Sequence, residues 1–173
     1  VLEAYGMTEA AHQMASNPLP PGKRFPGAVG FGTGVEIGIM DKAGEMQPTR
    51  GHGEVVIKGP NVIDGYEDNP EANKSSFTNG WFRTDDQGFL DEEGCLTLVG
   101  RLKEMINRSG EKISPLEIDD VLLSHPAVAE AVSFAVPHAI HGEEPAAAVV
   151  LSGTAETREL IVYCRAHLAQ FKC

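Results

Sequence analysis

Cysteine is scarce in this chain: three among 173 residues, Cys95, Cys164 and Cys173. They are too dispersed for a zinc ribbon and too few for a disulfide framework, which fits a reducing compartment. Positive charge is scarce as well. Lys and Arg number 14 against 25 Asp and Glu, a formal net charge of −11, so the surface is unsuited to nucleic acid or to an anionic membrane. No apolar run reaches membrane-spanning length, and the N-terminus lacks the basic, apolar, small-residue order of a signal peptide. There is no internal repeat or low-complexity tract. The chain starts without Met inside an apparent motif and stops just after an expected helix, which reads as part of a longer protein.

What is present is ordinary for a globular protein: 42% hydrophobic and 23% charged residues, enough for one domain or two small ones. Residues 17–34 are rich in Pro and Gly and read as loop. Alternating runs then predict strands at Val35–Met40 and Glu54–Lys58, and a hairpin over Phe89–Val99 turning at an acidic, Gly-bearing stretch. Residues 28–100 therefore read as all-β, a barrel-like or sandwich-like subdomain. After Arg101 the pattern changes. Ser114-Pro115-Leu116-Glu117 has an N-cap Ser, a Pro at the first helical position and a Glu that would complete a capping box. Ile118, Val121 and Leu122 keep the helical period up to Pro126. Val128–Val136 and Ala146–Leu151 read as strands around a polar loop from Pro137 to Pro145. A last helix from near Thr154 would present Leu160, Ile161, Cys164, Leu168 and Phe171 on one face. The fold class is α+β, with a division near residues 100–104: a β-rich part over 1–102 and a small α+β domain over 103–173.

Three segments carry chemistry. Tyr5-Gly6-Met7-Thr8-Glu9 combines a flat aromatic for a purine, a Gly for close backbone approach, a hydroxyl for a phosphate and a carboxylate for Mg2+. A turn between two elements explains the same residues. Gly80-Trp81-Phe82-Arg83-Thr84-Asp85-Asp86 places a carboxylate, with two acceptor oxygens, where it could hold both hydroxyls of a ribose. On composition alone an acidic surface turn explains it better. The charged stretch Gly100 to Ile113 reads equally as a solvated linker. His138 and His141, three apart in a Pro-bearing loop without a third ligand, are unpromising as a metal site.

Order and spacing change the weighting. Tyr5-Gly6-Met7-Thr8-Glu9, Gly53-Glu54-Val55 leading to Gly59, Arg83-Thr84-x-Asp86, Gly100-Arg101-x-Lys103-Glu104 and Gly110-Glu111-Lys112-Ile113-Ser114-Pro115-x-Glu117-Ile118 follow one another. The series resembles the adenylate-forming superfamily, which comprises acyl-CoA synthetases, luciferase-type enzymes and peptide-synthetase adenylation domains. It is most similar to the 4-coumarate–CoA ligase-like group. Ala10-Ala11-His12-Gln13-Met14 is similar to plant and fungal oxalate–CoA ligases.

The resemblance implies an ATP-dependent acid–thiol ligase that uses ATP, Mg2+ and coenzyme A on a small carboxylic acid. Tyr5 would stack on adenine, Gly6 would let the backbone come close to the nucleotide, Thr8 would bond the α-phosphate and Glu9 would bind Mg2+. Asp86 would hold the ribose with Arg101 beside it, and Lys103 would be the hinge of a mobile C-terminal domain. Ser109 and Gly110 would line the path of the pantetheine arm, and His12 would reach the distal carboxylate of the acid. The family's phosphate loop precedes the Tyr5 motif and its catalytic lysine follows the final helix, so neither lies in this chain, and Lys172 is not that lysine. Asp85 stands where the family usually has Gly. The chain alone is expected to be inactive. An adenylation domain loading a carrier protein, or a non-catalytic nucleotide-binding piece, are the alternatives. The expected location is cytoplasmic, or peroxisomal if a C-terminal address follows; the sequence does not give the oligomeric state.

Overall fold

A computed structural model describes residues 2–173. The chain packs as two units that divide between Val99 and Gly100.

In the first unit, strands β1 (Ala4–Met7), β2 (His12–Ser16) and β3 (Phe31–Gly32) form an antiparallel sheet in that order. A second sheet is built from β4 (Glu36–Met40), β5 (Gly53–Lys58), β6 (Phe77–Thr78), β7 (Trp81–Leu90) and β8 (Leu96–Arg101), whose last two residues lie past the division. Its order is β4-β5-β7, and β7 pairs with both β6 and β8. The central position of β5 explains its composition. Val55 and Ile57 are fully buried in a core with Tyr5, Met14, Phe82 and Leu96, while Val56 is fully buried without belonging to that core. A strand covered on both faces needs apolar residues at successive positions rather than alternation. Each such residue contributes about 1.5–3 kcal/mol by leaving water.

The long loop before β4 is tied down by polar groups. Asn17, 3% exposed, donates to the Ala28 carbonyl and accepts from the Phe25 amide. The loop's Gly30 region then joins β8 through Val29 N to Leu96 O and Leu96 N to Gly30 O. Beside it, Cys95 is 1% exposed, and burial, reinforced by the charge of Asp91, pushes its thiol above the ordinary value. The unfolded thiol therefore ionises first as pH rises. The contribution of this group to stability is complete below the ordinary thiol pKa and is lost as pH climbs through the raised one. Cys95→Ala is expected to make the alkaline fall in stability shallower, measured by denaturant titration at stepwise higher pH; an unchanged slope would contradict this.

One helix interrupts the stretch read as all-β. Helix α1 (Pro70–Ser76) starts at Asn69, whose side chain accepts from the Ala72 amide, with Pro70 at the first turn. These are the same cap signals recognised at Ser114-Pro115. They escape notice here because the helix buries no residue and so carries no apolar stripe.

In the second unit, β9 (Ile106–Arg108) and β10 (Glu111–Ile113) form a hairpin, followed by α2 (Pro115–Leu123), β11 (Val128–His138), β12 (Gly142–Leu151) and α3 (Thr157–His167). The sheet runs β10-β9-β12-β11, antiparallel throughout. Ile106 and Ile113 from the hairpin pack with Ile118 and Leu122 of α2 and Cys164 of α3. The sequence carries no signal for this hairpin because each arm has only three residues, too few to show a period.

Three further expectations need correction. The loop from Pro137 to Pro145 is much shorter, because β11 and β12 stay paired as far as His138 and Gly142. The capping box does not form: Ser114 makes no side-chain cap bond, and both oxygens of Glu117 accept from Lys172 Nζ at 2.7 and 2.5 Å. The last helix ends at His167, so Phe171 lies beyond it, in a short turn, and Ile161 is 44% exposed.

Candidate functional site

The motif at the start of the chain folds as strand, turn and strand. Strand β1 ends at Met7, Thr8–Ala10 make a single 3-10 turn, and Ala11 and then His12, the first residue of β2, both adopt left-handed backbone (φ 49° and 79°). Two successive non-Gly residues in that region are costly, a kind of strain that concentrates at functional sites. Gly6 owes its identity to this turn. A Cβ there would lie 1.7 Å from the His12 carbonyl oxygen, so the backbone it admits is the chain's own.

The turn presents Thr8, exposed, and Glu9, half-buried. The Glu9 carbonyl accepts from Ile63 N, and Asn61 Nδ2 donates to the Ala10 carbonyl, which anchors the turn from the β5–α1 connection. Tyr66 hydroxyl donates to Glu9 Oε1 at 3.0 Å. Burial, then the Glu9 carboxylate, push the Tyr66 phenol above its ordinary value, so it stays a neutral donor. Tyr66 is in turn held by a two-way amide pair: its N–H donates to Asn73 Oδ1, and Asn73 Nδ2 donates to its carbonyl. Helix α1, invisible in the sequence pattern, thus orients the carboxylate named for Mg2+. One oxygen carries the hydroxyl and the other, Oε2, is suited to a hard cation.

Tyr5 and Asp86, 81 residues apart, meet directly: the Tyr5 hydroxyl donates to Asp86 Oδ2 at 2.5 Å. The Tyr5 ring is 9% exposed and belongs to the core of the first unit. It is therefore a structural residue and a partner of Asp86, beyond the purine-facing ring the sequence suggests. Asp86 itself is placed by a bulge. On the β5–β7 ladder Glu54 pairs with Gln87 and Val56 with Arg83, leaving Thr84, Asp85 and Asp86 opposite Val55 alone. Thr84 Oγ1 donates to the Val55 carbonyl and accepts from Asp86 N, restoring part of the ladder with a side chain. Asp85 has φ 63°. The position does require left-handed backbone, as the Gly usual in the family would supply, and Asp tolerates it better than most residues.

The remaining predicted residues lie in the second unit. The Arg101 carbonyl accepts from Glu104 N and Met105 N, forming the turn that carries exposed Lys103. Ser109 (φ 53°) and Gly110 (φ 94°) are the turn of the β9–β10 hairpin. A Cβ on Gly110 would meet nothing within 4 Å, so this Gly answers to backbone conformation and not to crowding. Ser109 N donates to the His141 carbonyl, and Ser109 Oγ bonds His141 Nδ1 at 2.8 Å, fastening the turn to the tip of the β11–β12 hairpin.

That tip does contain the third ligand-type side chain the sequence did not reveal, Glu144 beside His138 and His141. Its hydrogen bonds argue against a metal there. His138 Nδ1 accepts from Ile140 N and His141 N, which puts the ring proton of neutral His138 on Nε2, facing Glu144 Oε1 at 3.8 Å. A cation at Nε2 needs the lone pair that this proton occupies. Arg108 also pairs with Glu144 Oε1, at 3.3 Å.

The chain is similar over nearly its whole length to known proteins. Residues 1–67 match the AMP-binding enzymes, and residues 117–173 match the AMP-binding enzyme C-terminal domain. The chain is 54% identical to oxalate–CoA ligase of Arabidopsis thaliana, over 99% of this chain and 34% of that protein. It is also 54% identical to oxalate–CoA ligase of Saccharomyces cerevisiae, over 99% of this chain and 32% of that protein. It superposes with TM-score 0.89 and 39% identity on o-succinylbenzoate coenzyme A synthetase from Bacillus subtilis in complex with ATP and magnesium ion, covering 99% of this chain and 36% of that one. The chain thus spans about a third of the length of the curated relatives it matches.

Proposed function

Because the chain belongs to the AMP-binding enzymes, we propose that the protein bearing it is an AMP-forming acid–thiol ligase, with oxalate as the acid and coenzyme A as the thiol. The observation that carries the reading is the Tyr5–Asp86 hydrogen bond. It ties together two motifs far apart in sequence, the Tyr5 segment that leads into the Thr8–Glu9 turn and the Asp86 carboxylate. Oxalate is supported by the two relatives that are 54% identical and named oxalate–CoA ligases.

In the proposed reaction the acid carboxylate attacks the α-phosphorus of ATP, forming an acyl-phosphate bond and expelling pyrophosphate. The thiol then attacks the acyl carbon, releasing AMP and leaving a thioester. Mg2+, when bound, neutralises phosphate charge. The chain's own residues bind and orient. Asp86 accepts from the ribose hydroxyls, the Thr8 hydroxyl donates to a phosphate oxygen, and Glu9, held by Tyr66, offers Oε2 to the cation. Rate would come chiefly from positioning and from fixed charge. Arg101 would join the ribose, Lys103 would serve as hinge, and the Ser109–Gly110 turn would border the thiol arm, with His12 towards the acid.

The test is ATP–pyrophosphate exchange by the complete protein with a panel of small mono- and dicarboxylates, followed by thioester formation with coenzyme A. Exchange that depends on oxalate, and a coenzyme A thioester as product, are the expected results. Exchange with no acid of the panel would overturn the ligase reading. Exchange with another acid alone would overturn oxalate.

A further inference from the structure

The bulge that carries Asp86 has an anchor on the neighbouring strand. Glu54 is 5% exposed, and a carboxylate so deep in the protein is tolerable only if its oxygens are matched by donors. They are, and the donors come from the bulged segment of β7. Arg83 donates to Glu54 Oε2 through Nε at 2.9 Å and Nη2 at 2.5 Å, and Asp85 N donates to Oε1 at 3.0 Å. The last bond matters most. Asp85 is the left-handed residue of the bulge (φ 63°), and a non-Gly residue stays in that region only when its surroundings hold it. Asp86 follows immediately, its own amide bonded to Thr84 Oγ1 and its carboxylate bonded to Tyr5. Glu54 therefore grips both residues that bracket Thr84 and sets the direction in which the chain arrives at Asp86.

We propose that Glu54 is a positioning residue for ribose recognition: its buried carboxylate holds the Arg83–Asp86 bulge in the form that aims Asp86 at the sugar. The inference rests on Asp86 as the ribose acceptor. It adds a requirement that this reading does not contain, namely that a residue with no access to the nucleotide decides how well the sugar is discriminated. A merely structural ion pair would affect stability, and would change the use of every nucleotide alike. A positioning residue changes the preference between nucleotides that differ only in the sugar.

The experiment uses the complete protein and compares kcat/KM for ATP with that for 2′-deoxy-ATP and 3′-deoxy-ATP, with thermal melting of each variant alongside. Wild type is expected to prefer ATP by roughly tenfold or more, the worth of a hydrogen bond to a charged group, and Asp86→Asn to remove most of that preference. Glu54→Gln is expected to remove most of it too. Its amide must turn N–H towards either Arg83 or Asp85 N, both donors, so one of the two grips is lost. Glu54→Asp keeps the charge opposite Arg83 but is one methylene shorter. It should melt close to wild type while the preference still falls several-fold, and it carries the test if Glu54→Gln fails to fold.

If the folded Glu54 variants lose activity equally with all three nucleotides while Asp86→Asn changes the ratio, the positioning role is overturned and the ribose reading stands. If Asp86→Asn leaves the ratio at its wild-type value, or wild type shows no preference, the ribose reading itself fails.

Discussion

Replacing Asp86 with Ala is expected to lower kcat/KM for acid-dependent ATP–pyrophosphate exchange by roughly 100-fold or more. The estimate follows from two bonds between the carboxylate and the ribose hydroxyls, each worth about 1.5–3 kcal/mol when one partner is charged. About 3 kcal/mol corresponds to roughly two orders of magnitude in rate. A second consequence is structural. The Tyr5 hydroxyl donates to Asp86 from a residue only 9% exposed, and Ala leaves that donor without its acceptor, at about 1–3 kcal/mol of stability. Tyr5→Phe separates the two effects, since it removes the donor and keeps the ribose acceptor. Phe should therefore retain most of the activity that Ala loses. An Asp86→Ala enzyme within threefold of wild type would remove Asp86 from the nucleotide site.

Gly6→Ala is expected to destabilise the protein by about 3 kcal/mol or more and to abolish nucleotide binding with it. The added methyl would sit 1.7 Å from the His12 carbonyl oxygen and 2.7 Å from its carbon. Both are backbone atoms, so no rotamer change relieves the overlap, and backbone displacement puts the cost at or above the usual range for overpacking. The residues that would move are Ala11 and His12, already left-handed, together with the Thr8–Ala10 turn between them and β1. Calorimetric melting and AMP titration of the complete protein would show both effects. A melting temperature within a degree or two of wild type would mean that the turn yields at little cost. Gly110 is the comparison: its φ is 94° but a Cβ there meets nothing, so Gly110→Ala should cost only about 1 kcal/mol.

The sequence and the structure part company at specific residues, for identifiable reasons. Strands β4, β5 and the β7–β8 hairpin were legible because burial imposes a pattern on neighbouring side chains. The start of α2 was legible because Ser114 and Pro115 are local chemistry. Its capping box was not, since Glu117 turns to Lys172, 55 residues away, and a distant cation competes with a local amide in a way no short window records. Helix α1 had the right cap and no apolar face, and the β9–β10 hairpin had too few residues to show a period. At the site, Tyr5, Thr8, Glu9 and Asp86 stood out by residue type and order. Tyr66 and Asn73 did not, because they bond to other protein groups and no ligand chemistry marks them; Glu54 stood inside one of the motifs, but with no role attached to it.

The order of five short motifs and their residue types determined the family, the change of pattern after Arg101 gave the two-part α+β organisation, and the motifs named the residues proposed to bear on ATP. Those properties are written locally, since a phosphate, a ribose or a cation selects donors and acceptors by type. Tertiary structure alone decided which protein groups each of these residues touches. It joined Tyr5 to Asp86, hung Glu9 on Tyr66 and Asn73, and buried Glu54 against the bulge that carries Asp86. It also gave Gly6 a structural reason of its own, the close approach of the His12 backbone. Sequence periodicity reports which face of an element is covered, whereas a hydrogen bond across 81 residues exists only once the sheets bring the two strands together.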